Sequence, residues 1–470
     1  SVSCAARRNT NVVLILADDL GYGDLGCYGA ADIETLNLDR MAAEGLRFTD
    51  FHVPQAVCSA SRAALLTGCY PNRVSVLHAL MPWAENGLNP DEETIAELLR
   101  EKGYACGIFG KWHLGHHPEF LPLRHGFDEY FGLPYSNDMW PVGYDGVPVG
   151  PDDNKARYPW PPLIDGDRKV GEVRTFADQD RLTELYTDRA VRFIEKNKAR
   201  PFFLYVPHSM PHVPLGVSAE FRGRSKRGPY GDVIMELDAS AGRILGALEK
   251  AGLDRRTLVV FLSDNGPWLN FGSHAGSAGP LREGKGTEWE GGVRVPCLMR
   301  WSGRIRPGTV CREMAASMDI LPTVAGAAGA RLPSRPIDGL DLRPLLLGRT
   351  TSSPRDELYY YYGTELHAVR RGRWKLHVPH GYPSYEGQEP GRDGFPGKTV
   401  RREMGYALYD LESDIGEGTD LAELYPDVVA DLMGLADKAR ADLGDGPKPG
   451  PGVRPGGARR QPGQSPAGSP

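Results

Sequence analysis

Four short apolar runs stand out in the first half of the chain, and each ends in polar residues. NVVLILADD (11–19), ACGIFGKWH (105–113), PFFLYVPH (201–208) and TLVVFLSDNG (257–266) have the length and continuous apolarity of strands buried on both faces. Longer amphipathic stretches lie between them. DEETIAELLREKG (91–103) puts Ile95, Leu98 and Leu99 on one helical face and stops at Gly103. YGDVIMELDASAGRILGALEKAG (230–252) does the same with Val233, Leu237, Ile244 and Leu248 and stops at Gly252. Strands alternating with helices in this way predict an α/β fold, a mainly parallel sheet with helices on both faces.

Beyond about residue 350 the pattern changes. ELYYYYG, AVRRGRWKLHV and YALYDL predict a small antiparallel sheet, and DVVADLMGLADKARADL (427–443) a closing helix. Residues 444–470 are Gly, Pro, Arg and Gln with little to bury, and are expected to be a disordered tail. The expected organisation is thus a catalytic domain over 9–349, a small α+β domain over 350–443 and a tail over 444–470.

Composition narrows the function classes. A chain of 470 residues can bury a large core. A net charge of −6, from 61 acidic and 55 basic residues, argues against nucleic acid as partner. No apolar run approaches the roughly 18 residues of a spanning helix. The cysteines at 4, 27, 58, 69, 106, 297 and 311 are odd in number and form no CxxC pair, so neither a zinc ribbon nor a disulfide scaffold is indicated. The sequence opens on SVSC, read as an exported chain without its leader in which Cys4 is a candidate lipidation site.

The polar residues that close the strand runs carry the chemistry. Asp18 and Asp19, Lys111 and His113, and Asp264 and Asn265 each follow a predicted strand, so they converge on one sheet edge, where open α/β sheets bind ligands. ADD alone reads as a helix cap and SDNG alone as a turn. Together at the ends of buried strands, the two pairs are oxygen donors suited to Ca²⁺ or Mg²⁺ rather than zinc. With Lys111, Lys285 (in REGKGT), His113, His212 (in MPHVP) and Arg62, they describe a site for a tetrahedral oxyanion with acid and base groups attached. Cys58, in AVCSASRAALLTG (56–68), stands just before a predicted helix, where a dipole and Arg62 favour a thiolate. A soft thiolate is a poor partner for a hard cation, so the residues by themselves leave a nucleophile of the wrong element.

CSASRAALLTG resembles the signature of the type I, formylglycine-dependent sulfatases, Cys-x-Pro-x-Arg followed by a helix ending in Leu-Thr-Gly. The resemblance continues in NVVLILADDLGYGDLGCYG, GYACGIFGKWHLG, HGFDEYFGLPYSND, MPHVPL, SDNGP, REGKGTEWEGGVRVP and LYDLESDIGEGTDLA, from residue 11 to about 440. Within the family it is most similar to the arylsulfatase A and N-acetylgalactosamine-6-sulfatase group. The resemblance implies an alkaline-phosphatase-like fold: a mixed, mostly parallel sheet sandwiched by helices, with a small C-terminal antiparallel-sheet domain. It implies hydrolysis of a sulfate ester to alcohol and inorganic sulfate.

It also implies roles. Cys58 would be oxidised by a maturation enzyme to Cα-formylglycine, whose hydrate is the nucleophile. One Ca²⁺ would be held by Asp18, Asp19, Asp264, Asn265 and the modified Cys58. Arg62 and Lys111 would hold the hydrate, and Lys285, Ser136 and Lys111 the sulfate. His212 would protonate the leaving oxygen, and His113 would take the remaining hydroxyl proton. His208 would form a wall of the pocket. Two positions depart from the family: Ala60 stands where the signature has proline, and Cys69 where relatives commonly have arginine. The rim is expected to include SNDMW (136–140), His78, His116, His117 and Trp268, a mixture suited to a sulfated sugar. A phosphoester or phosphonate hydrolase of the same superfamily and a catalytically silent sulfated-glycan binder are the alternatives.

Overall fold

The run 11–19 becomes a strand, β1 (Asn11–Ala17), buried along its whole length at the centre of a ten-stranded sheet. A computed structural model describes residues 10–459; Cys4 and residues 460–470 lie outside them. The other strands of the sheet are β2 (Leu46–Phe48), β3 (Ala105–Phe109), β4 (Glu129–Gly132), β5 (Pro162–Asp165), β6 (Arg168–Glu172), β7 (Phe202–Pro207), β8 (Thr257–Ser263), β9 (Cys297–Arg300) and β10 (Thr309–Cys311). Their order is β10-β2-β9-β8-β1-β7-β3-β4-β5-β6. The middle of the sheet, β8-β1-β7-β3-β4, is parallel, and β9, β5 and β6 pair antiparallel with their inner neighbours. The four apolar runs are therefore four adjacent parallel strands.

The pleat of β1 sorts its side chains to two cores. Val13, Ile15 and Ala17 pack with α1 (Leu36–Glu44), α4 (Leu182–Asn197) and α5 (Pro229–Lys250). Val12, Leu14 and Leu16 face α2 (Cys58–Thr67), α3 (Ile95–Glu101) and α6 (Ile320–Ala328). Local chemistry sets the helix ends. Thr94 and Glu97 close a capping box at the start of α3, and Gly68, at φ 70°, ends α2 in the left-handed region open to glycine.

The expected second sheet is present: β11 (Glu357–Tyr362), β12 (Glu365–Arg371), β13 (Trp374–His377) and β16 (Ala407–Asp410), all antiparallel, beside a separate hairpin of β14 (His380–Ser384) and β15 (Val400–Met404). α7 (Pro426–Leu443) covers it, and its Leu432 and Leu435 join the same apolar cluster as Leu14. A buried ionic cluster ties this sheet to the large one. Lys375 on β13 reaches Glu290 and Glu417, each at 2.9 Å, and all three side chains are fully buried. Arg370 on β12 grips Asp50 through two bonds, and Arg294 pairs with both Asp50 and Glu290.

Over its described residues, 444–459, the tail departs from expectation. Gly444–Asp445 pairs with Lys448–Pro449, and Gly457–Ala458 pairs antiparallel with Asn86–Gly87. Arg454 donates to Glu92 at 2.7 Å, to Pro336 O at 2.8 Å and to Cys69 Sγ at 3.1 Å. Composition pointed to disorder because the segment buries little apolar surface. It is held instead by backbone pairing and charged hydrogen bonds to a surface that is already folded.

One buried group makes a pH-dependent contribution. His125 is fully buried against Trp112, and neither ring nitrogen has a hydrogen-bond partner. Burial pushes its pKa down to about 4. The unfolded chain takes up this proton near pH 6.5 and the folded chain does not, so stability is intact above pH 6.5 and is lost as pH falls toward 4. The loss reaches about 3 kcal/mol at the lower end. Urea unfolding at a series of pH values should therefore show His125→Leu gaining on the wild type by about that amount between pH 7.5 and 4. Parallel stability curves would refute the assignment.

Candidate active site

Four neighbouring parallel strands deliver their following residues to one edge. Asp18 and Asp19 follow β1, Asp264 and Asn265 follow β8, Lys111 follows β3 and His212 lies beyond β7. All six side chains are buried. Asp19, at φ 66°, and His113, two residues beyond Lys111 and at φ 60°, are held in the left-handed region, a backbone cost that a functional edge commonly carries. Cys58, 2% exposed, begins α2 directly below. The loop bearing Lys285 is tied to the residues before Cys58 by Gly286 N to Ala56 O at 3.0 Å, and to Pro267 O by Lys285 N at 2.9 Å.

The charges interlock. Lys111 Nζ donates to Asp18 Oδ2 at 2.5 Å and to Ser136 Oγ at 3.0 Å. Lys285 Nζ donates to Asp19 Oδ2 at 2.8 Å. Arg62 gives Nε and Nη2 to Asp264 Oδ2 (3.0 and 2.8 Å), Nη1 to Lys111 O (2.7 Å), and stands 3.2 Å from Asp18. Asp264 Oδ1 accepts Asp19 N at 3.1 Å, and Asn265 Nδ2 donates to Asp19 Oδ1 at 2.7 Å. Burial alone would raise the Asp18 carboxyl, but Lys111, Arg62, His212 and Lys285 outweigh it and hold the group far below the carboxylate range. Burial and the neighbouring Asp18 push Asp264 the other way, upward.

The donor set fits a hard cation. Asp18 Oδ1 and Asn265 Oδ1 are buried oxygens with no hydrogen-bond partner, and atoms of Asp18, Asp19, Cys58 and His212 lie within 4.8 Å of one another. Buried oxygens left unpaired are costly unless something meets them, and oxygen is the donor that Ca²⁺ and Mg²⁺ take. A second acidic group, Asp50, His52 and Glu290, is already met by Arg294, Arg370 and Lys375 and belongs to the ionic cluster between the sheets.

The thiol and the two histidines have defined states. At Cys58 burial outweighs the helix terminus, Lys111 and Lys285, and the thiol is pushed up to about 12. As a cysteine it is protonated and inert, so the thiolate that its position suggests does not form. His113 Nε2 lies 3.1 Å from Leu80 O, an acceptor only, so Nε2 carries the proton and the buried, unpartnered Nδ1 is the free base. Burial, Lys111 and Arg62 keep this ring neutral. His212 donates Nδ1–H to Val213 O at 2.6 Å and presents Nε2 to the cluster, 3.5 Å from Asp19.

All the expected site residues thus meet on one edge. His208 does not: its Nε2 bonds Ser240 on α5 at 3.2 Å and its ring lies against Tyr186, in the packing beneath the helices. It follows β7 directly, and the pleat turns it to the other face. On the rim, Trp268 meets the His212 ring edge-on at 5.4 Å, with Lys285 Nζ 4.5 Å from its centroid. The His116 and His117 rings meet at a tilt, centroids 4.2 Å apart, beside Tyr135, and His78 lies against Tyr362. No motif points to Phe271, Tyr144 and Phe395, which continue from Trp268 by centroid steps of 4.8, 5.7 and 5.7 Å. Tyr385, at the end of the C-terminal hairpin strand, also went unnoticed; it donates to Lys285 O at 2.7 Å.

Comparisons with known proteins agree with this arrangement. The family model described as sulfatase matches residues 10–330, and that of the C-terminal region of aryl-sulfatase matches 353–449. Arylsulfatase A of Homo sapiens is 42% identical over 444 residues, covering 89% of this chain and 84% of that protein. N-acetylgalactosamine-6-sulfatase of Mus musculus is 41% identical over 424 residues, covering 85% and 78%. Among solved structures, the PsFucS1 sulfatase from Pseudoalteromonas sp. superposes with a TM-score of 0.83 at 29% identity, covering 92% of this chain and 90% of that one.

Proposed function

The chain belongs to the sulfatase family and is a sulfuric ester hydrolase, and from that premise we propose that it cleaves carbohydrate sulfates with one Ca²⁺ and a formylglycine made from Cys58. The observation that carries this reading is Cys58 itself. The thiol sits among oxygen donors for a hard cation and is pushed up to about 12, so without conversion it offers no nucleophile. Its aldehyde hydrate would supply an oxygen nucleophile, and Ca²⁺ would polarise a sulfate oxygen. Asp18, Asp19, Asp264, Asn265 and the converted residue are the ligands.

The contacts support the remaining roles. Lys111 and Lys285 are the donors for the sulfate oxygens, with Ser136 beside them accepting from Lys111. Arg62 balances Asp18 and Asp264 and, through Lys111 O, fixes the lysine, which with it holds the hydrate. His212 Nε2 faces the site and, with the ring protonated on both nitrogens, is the proton donor to the leaving oxygen, while His113 Nδ1 is the base for the remaining hydroxyl. The rings of Trp268, Tyr144 and Phe395, joined by the buried Phe271, support a sugar as the alcohol, because flat apolar faces beside polar groups suit pyranose rings.

The test has two readouts. Peptide mass spectrometry of protein made with its maturation enzyme should find the aldehyde at Cys58, and a panel of sulfated mono- and oligosaccharides should release sulfate faster than a simple aryl sulfate. Fully active protein with intact Cys58 would overturn the nucleophile. Rapid aryl sulfate turnover with no sugar desulfated would overturn the substrate class.

A further inference from the structure

Asp138 stands two residues beyond Ser136, in the SNDMW stretch expected on the rim, and has been given no individual role. The residue is part-buried, yet its Oδ1 atom is buried and has no hydrogen-bond partner. Ser136, which receives Lys111, hydrogen-bonds the same carboxylate. Its charge is felt by His212 and by Tyr144, Lys155 and Tyr158. Lys155 is directed elsewhere: its Nζ donates to Val142 O at 3.0 Å and lies 4.5 Å from the Tyr144 ring centroid.

A carboxylate at this point requires an explanation. The substrate ester is an anion, and a fixed negative charge beside it repels. Burial would raise the Asp138 carboxyl, but His212, Lys111, the Ser136 hydrogen bond and Lys285 outweigh it and keep the group ionised. An ionised carboxylate accepts hydrogen bonds and donates none. An unpaired buried acceptor is tolerated where a ligand fills it.

We propose that Asp138 selects the alcohol half of the substrate by accepting a hydrogen bond from a hydroxyl on the carbon next to the sulfated one. The inference rests on the sulfatase reading and deepens it: vicinal hydroxyls are present in sugars and absent from simple aryl esters. The free Oδ1 reads the donor, while the aromatic line beyond it holds the ring.

Catechol monosulfate and phenyl sulfate isolate the effect without any sugar, since they differ by one hydroxyl adjacent to the ester. A hydrogen bond to a charged group is worth about 1.5–3 kcal/mol. The wild type should therefore show a kcat/KM about 10- to 100-fold higher for catechol monosulfate. Asp138→Ala should erase that ratio, and Asp138→Asn, which keeps an acceptor oxygen without the charge, should restore part of it. Turnover of phenyl sulfate by each variant reports that the site is folded. A wild type without the preference overturns the proposal, and so does an alanine variant that keeps it. Equal loss on both esters also overturns it, because Asp138 would then act through His212. The sulfatase reading fails separately, if the converted wild type releases sulfate from neither ester.

Discussion

Asp264→Asn should leave a folded protein that neither binds calcium tightly nor turns over. The substitution keeps the shape of the side chain and removes one negative charge from the cluster around Asp18 and Asp19. The polarisation of a sulfate oxygen by a bound cation contributes several kcal/mol to the transition state, so turnover should fall about 10³-fold or more. Stability should move the other way. Asp264 is pushed upward by burial and by Asp18, so neutralising it relieves repulsion in the cation-free protein. Arg62 keeps Asp18 at 3.2 Å. Equilibrium dialysis with calcium, sulfate release and a thermal melt in chelator separate these effects. Undiminished turnover with calcium still bound would remove Asp264 from the ligand set.

Lys375→Met should be the most destabilising single change outside the active site. Lys375 Nζ lies 2.9 Å from both Glu290 Oε1 and Glu417 Oε1, and all three side chains are fully buried. Methionine fills much of the volume but leaves two carboxylates facing one another without their shared cation. Breaking a buried pair in this way costs about 3–5 kcal/mol. His52, Arg294 and His377 still contact the acids, but His52 and His377 are held neutral mainly by burial and provide no replacement charge. The cluster joins the two sheets, so limited proteolysis should cut the C-terminal sheet first. A midpoint of urea unfolding equal to that of the wild type would show that the network carries little of the docking.

Much of the site was legible because it follows from strand ends. Asp18, Lys111, His212 and Asp264 come from four adjacent parallel strands, and period and turn residues identify such strands well. The short strands β2, β9 and β10 were not legible, since three or four residues give no periodicity and their pairing is decided by tertiary contacts. The state of Cys58 was misjudged for a related reason. A helix terminus and Arg62 are visible in sequence, but the burial that overrides them is not, and Arg62 is turned to Asp18 and Asp264. The tail was misread because composition reports what a segment can bury, not which folded surface stands ready to pair with it.

Cys58 is 2% exposed and lies inside α2, so in the finished fold no second enzyme can reach its side chain. The proposed oxidation must therefore act on a chain that has not yet folded, and the fold fixes when that opportunity closes. Gly457–Ala458, which pair with Asn86–Gly87, and Arg454, which reaches Cys69, are among the last described residues to leave the ribosome. At about 5–20 residues per second, the roughly 400 residues between Cys58 and this closing segment take about 20–80 s to translate. During that interval the segment around Cys58 lacks its final partners. Slower elongation, or a weakened closing strand, should then raise the converted fraction, so the yield of active enzyme becomes a race between translation and one covalent step.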